Sequence, residues 1–103
     1  SGGISVGAGI SKEEIDRVVK SHMSELNFCL QQALQRRPDL GGKMALTWTI
    51  VGGGAVAKVR QVDNTTGDRA LVECFMSRLQ QWKFPVPPAG AAVEVEYYPF
   101  TVK

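Results

Sequence analysis

The sequence predicts an α+β fold: a three-stranded antiparallel sheet with two helices packed on one face, in the order helix, strand, strand, helix, strand. Three observations carry this reading. Two segments, 11–37 and 68–82, repeat apolar residues at helical spacing. Two alternating segments, 43–51 and 55–63, flank Gly52-Gly53-Gly54, and a last alternating segment fills 92–100.

Residues 1–9, SGGISVGAG, are small and Gly-rich and read as a flexible linker or tag remnant, leaving 10–103 as the folded domain of a larger protein. Ser11 then opens the first helix. Ser11-Lys12-Glu13-Glu14 has the form of a capping box, and Ile10 and Ile15 fall where a hydrophobic staple closes. Ile15, Val18, Val19, Met23, Leu26, Cys29, Leu30, Ala33 and Leu34 share one face, and Phe28 points away from it. Arg36 and Arg37 suit the C-terminal end of the helix dipole, and Pro38 stops the helix before an Asp39-Leu40-Gly41-Gly42 turn.

KMALTWTIV (43–51) alternates Met44, Leu46, Trp48 and Ile50 against Ala45, Thr47 and Thr49, the pattern of a half-buried strand. The glycine run reads as a hairpin into AVAKVRQVD (55–63). No Lys-Ser/Thr follows the glycines and no helix begins there, which excludes a P-loop. Asn64 to Asp68 is a turn cluster, with Asp68, Thr65 or Thr66 available as the N-cap of the second helix. Leu71, Cys74, Phe75, Arg78, Leu79 and Trp82 share a face there, before Pro85, Pro87 and Pro88 stiffen the chain. In AVEVEYYPF, Val93, Val95 and Tyr97 face one way and Glu94, Glu96 and Tyr98 the other. Pro99 cannot donate to a ladder, so the strand reads as an edge. An exposed edge offers backbone groups to a partner strand, while glutamates and a proline are also how edges are guarded.

At 103 residues the chain supports one small core, and 44% hydrophobic residues are enough to fill it. A net charge of +2, with scattered rather than clustered Lys and Arg, argues against a nucleic-acid partner. No apolar run approaches the roughly 20 residues of a membrane helix. No paired acid and base suggests catalysis, and no cofactor or metal motif is present. Cys29 and Cys74, each on an inward helical stripe, leave several readings open. Two cysteines and the lone His22 lack a metal-site spacing, and a Cys–His22 nucleophile lacks an orienting third group. Two buried thiols and a helix-to-helix disulfide both fit the pattern.

Taken together, ISKEEIDRVV through NFC, GGKMALTWTIVGGGAVAKVRQVDNT, VEC, QQWKFPVP and VEYYPF resemble the TonB-like C-terminal domain family, and more closely the AgmX/PglI C-terminal domains of bacterial envelope and gliding-motility proteins. The resemblance spans roughly residues 10–101. It implies a non-catalytic periplasmic domain of a protein anchored in the inner membrane. Such a domain grips an outer-membrane or periplasmic protein, often by strand addition, and transmits force. It also implies an oxidising compartment, and with it a Cys29–Cys74 disulfide. By the position of the last strand, the partner surface falls on Val93, Glu94, Val95, Glu96, Tyr97 and Tyr98, with Phe100 beside them. The other expectation is a self-associating module that dimerises through the same edge.

Overall fold

The computed structural model describes residues 4–102. The chain is α+β, but with four strands and three helices in place of three and two. The strands are β1 (Ser5–Val6), β2 (Gly42–Ile50), β3 (Val56–Asn64) and β4 (Val93–Val102). The helices are α1 (Lys12–Ser21), α2 (Met23–Arg36) and α3 (Arg69–Leu79). The sheet runs β1-β4-β2-β3, with every neighbouring pair antiparallel.

The extra strand comes from the stretch read as linker. Ser5 lies opposite Tyr97 and Val6 opposite Val95, while the Gly7 amide donates to the Glu94 carbonyl at 2.8 Å. The extra helix is a break in the first one. Ser11 accepts from the Glu14 amide and Glu14 reaches back to the Ser11 amide, so the capping box forms as its residues dictate. At His22 the backbone leaves helical geometry (φ −107°, ψ 17°). Two contacts fix the bend there. The Ser21 hydroxyl bonds back to the Val18 carbonyl at 2.7 Å, a local bond that bends helices. The His22 ring stacks on Trp82 with centroids 4.4 Å apart.

The core lies between the helices and one face of the sheet. Met44, Leu46, Trp48, Ile50, Val93 and Val95 are buried against Ile15, Val19, Leu26, Leu71, Phe75 and Leu79. On the other sheet face Glu94 and Glu96 are exposed, but Ala45 and Thr49 on the central strand are buried. Cys29 of α2 and Cys74 of α3 are joined by a disulfide, with Cα atoms 5.8 Å apart, which ties the two helices over the core. Phe28, on the far side of α2, is 53% exposed and lies under the Arg78 guanidinium.

Gly52-Gly53-Gly54 makes the turn between β2 and β3, where the Gly54 amide donates to the Val51 carbonyl at 2.9 Å. Gly53 and Gly54 both have positive φ, but their surroundings differ. A Cβ on Gly54 would stand 2.1 Å from the Phe84 carbonyl oxygen, while a Cβ on Gly53 would meet nothing within 4 Å. Gly53→Ala is therefore expected to cost only its conformational strain, about 1–2 kcal/mol. Gly54→Ala adds a backbone clash and breaks the approach that lets the Phe84 amide donate to the Gly54 carbonyl, so it should cost about 3 kcal/mol or more. Urea unfolding of the two variants, compared with the parent, checks the difference.

Candidate functional site

The outer side of β4 is where the sequence-predicted residues gather, and a bulge controls what it presents. Up to Val95, β4 alternates with its apolar residues toward the helices. Leu46 then faces Tyr98 while Trp48 faces Val95, so three steps on β4 match two on β2. One extra residue reverses the alternation that follows. The Thr47 hydroxyl donates to the Val95 carbonyl at 2.6 Å and holds the bulge.

The bulge corrects the face expected for the two tyrosines. Tyr98 was expected beside Glu94 and Glu96, but it is buried (5% exposed) and packs with Trp48 and Phe100. Tyr97, expected with the valines, is half-buried at the bulge. Val93 and Val95 are buried in the core, so neither presents a side chain to a partner. Glu94 and Glu96 extend from the opposite face. Glu94 accepts the Thr49 hydroxyl with both oxygens, and Glu96 accepts the Ser5 hydroxyl at 2.9 Å. Phe100 is half-buried, meets Phe75 edge-on, and lines a groove.

β4 is also not the outermost strand: β1 stands beyond it along Glu94–Tyr97. Among the described residues, nothing pairs with its outer side past Tyr97. There the edge opens onto a groove of about 290 Å³, lined by Val19, Met23 and Leu30 on the helical side, by Phe100 and Val102 on the strand, and by Ile4. On the far edge of the sheet, β3 has no outer partner among the described residues. It is bulged twice against β2, and Lys58 sits in the left-handed region at φ 56°. Both features disfavour regular pairing there.

Asp16 was not singled out by sequence, yet it fixes α1 to the site. Its carboxylate accepts the Tyr98 hydroxyl, and Lys20 approaches its other oxygen at 2.9 Å. The Tyr98 hydroxyl and then Lys20 hold the Asp16 carboxyl below the usual carboxylate range. Burial, reinforced by that carboxylate, pushes the Tyr98 phenol up. Ile4, Ser5 and Val6 were also missed. Their apolar–polar–apolar order was the available signal, hidden by the glycines around it. Nothing local marks Asp16.

Two more carboxylates are tuned the same way. Trp82 Nε1–H, then His22, lower Glu25, each through a hydrogen bond to its carboxylate. Burial alone would raise Asp68, but the Leu71 amide and the Arg36 guanidinium outweigh it and hold the group low. The sign follows directly. Groups whose folded pKa lies below the unfolded value contribute stability above the unfolded pKa, and lose it as pH falls through the folded one. Stability should therefore be flat from pH 7 to about 5 and fall below pH 4. Asp68→Asn should flatten that fall, because Asp68 is the most buried of the three. Urea midpoints across that pH range provide the check.

No group of three His, Cys, Asp or Glu residues is placed to hold a metal ion among the described residues, and no described helix is long and apolar enough to cross a membrane. Comparison with known proteins finds no matching family model, no matching curated relative and no matching solved structure.

Proposed function

We propose that this chain is a non-catalytic protein–protein interaction module of the bacterial cell envelope, of the TonB-like kind, that receives an extended segment of a partner along the outer side of β4. The observation that carries the reading is β1. An extended segment already lies along Glu94–Tyr97 in antiparallel register, so backbone groups of that edge are oriented to accept a strand. The groove beyond Tyr97 offers apolar walls to a longer one. The Cys29–Cys74 bond supports an oxidising compartment, the periplasm, for the domain. The inner-membrane anchor of the parent protein, an outer-membrane or periplasmic partner, and force transmission, as in gliding motility, belong to the same proposal and rest on the sequence resemblance.

Self-association is the second reading. The outer side of β3, unpaired among the described residues, favours it, and the bulges of that strand oppose it. Sedimentation across a concentration series separates the two, since only self-association raises the mass without a partner.

The test of the partner reading is photo-crosslinking in living cells, with the probe at Glu96 of the full-length protein and a control probe at Arg69, beside the opposite edge of the sheet. Capture of an envelope protein from Glu96 and not from Arg69 is the expected result. Capture of that protein from Arg69 alone would move the binding surface to the α3 side.

A further inference from the structure

The strand that shows how the β4 edge accepts a segment also blocks it. We propose that Ile4–Val6 is a built-in competitor for the partner, and that the partner is an extended peptide of the same chemistry, apolar–hydroxyl–apolar, with a further large apolar residue two positions before the first. This rests on the reading of β4 as the partner's strand.

The chemistry comes from how β1 sits. Ile4 and Val6 are half-buried and pack against the core cluster, on the helical side of the sheet. Ser5 turns to the other face, where its hydroxyl donates to Glu96 at 2.9 Å. A segment in this register thus needs apolar side chains at alternate positions. Between them it needs a small donor, and a carboxylate there would meet Glu96.

The direction of β1 says how a partner outcompetes it. Ser5 pairs with Tyr97 and Val6 with Val95, so Ile4 lies toward Phe100 and the groove. Ile4 lines the groove. In a partner peptide bound in this register, the residue two positions before the one matching Ile4 falls on the same face. A partner with Leu or Phe at that position extends the apolar contact that Ile4 begins, toward Met23, Leu30 and Phe100.

β1 is also built to leave. It is two residues long, pairs on one side only among the described residues, and its register with β4 shifts between those two residues. Its advantage is tethering, which gives a short linked segment an effective concentration in the millimolar range. An edge that is open one part in ten lowers the apparent partner affinity tenfold.

Fluorescence anisotropy with two fluorescein-labelled peptides tests the inference: one carrying residues 1–8 of this chain, the other its Gly2→Leu form. The Gly2→Leu peptide should bind more tightly than the parent peptide. Val6→Asp in the domain, which removes the apolar hold of β1, should raise its affinity about tenfold. Ser5→Lys, which sets an ammonium against Glu96 and tightens β1, should lower it a few-fold. Should Val6→Asp fail to fold, Ser5→Lys carries the test alone, since its side chain lies on the face away from the core. Equal affinity across the parent and both variants would overturn the competitor and leave strand addition standing. No binding of either peptide to any of the three would overturn both.

Discussion

Replacing Cys29 and Cys74 together by alanine is expected to lower the unfolding free energy by about 4 kcal/mol, and reduction of the parent domain should have a comparable effect. The bond closes a loop between residues 45 apart in sequence, so it removes many open conformations from the unfolded chain. On that chain-entropy basis the stabilisation depends mainly on loop length and only weakly on local contacts. Packing adds to it, because Cys29 is 2% exposed among core side chains. For a domain of this size each kcal/mol moves the thermal midpoint by about 4–8 °C. The shift should therefore be roughly 15–30 °C. Urea unfolding with and without reductant measures it. A change below about 1 kcal/mol would mean that the unfolded chain is already constrained, or that α2 and α3 hold together without the bond. The bond ties α2 to α3 and does not touch β4, so the reduced domain should keep its edge as long as it stays folded.

The second large effect lies beneath the edge itself. Trp48 on β2 is fully buried and packs its indole against Phe84 and Tyr98, each with ring centroids 5.8 Å away. Trp48→Ala should cost about 3–5 kcal/mol through lost burial and the cavity left behind. It should also loosen Tyr98, and with it the bulge that orients the β4 edge. Trp48→Phe should cost far less. The indole N–H is buried with no hydrogen-bond partner among the described residues, so removing it relieves a group that is costly to desolvate. A phenyl ring in its place still meets Phe84 and Tyr98. Thermal and urea unfolding of the two variants checks the contrast. Near-equal losses would show that a phenyl ring recovers none of the packing at that position.

What the sequence makes legible is what local chemistry decides. The Ser11–Glu14 capping box, the Asp68 N-cap and the inward placement of Met44, Leu46, Trp48 and Ile50 depend on near neighbours, and each forms as read, although Ala45 and Thr49 on the other face are buried too. The features that escape are set by distant partners. The helix breaks at His22 against Trp82, and Trp82 also donates to Glu25, 57 residues away. Strict alternation puts Tyr98 on the glutamate face. Asp16, Trp48 and Phe100 draw it inward, and the bulge at Glu96–Tyr97 absorbs the extra residue. β1 escapes for another reason: two residues among glycines carry too little pattern to announce a strand. The expected set of partner residues divides accordingly. Glu94 and Glu96 present side chains, Val93 and Val95 turn theirs into the core, and Phe100 serves the groove.

The central claim is that the outer side of β4 takes an extended segment in antiparallel register. The most direct measurement is amide-resolved NMR of the isotopically labelled Val6→Asp domain, titrated with the unlabelled Gly2→Leu peptide. The claim requires shifts centred on Glu94–Tyr98 and cross-strand contacts from the peptide to Val95 and Tyr97. Saturable shifts confined to Phe28, Arg78 and the exposed faces of α2 and α3, with β4 unmoved, would contradict it.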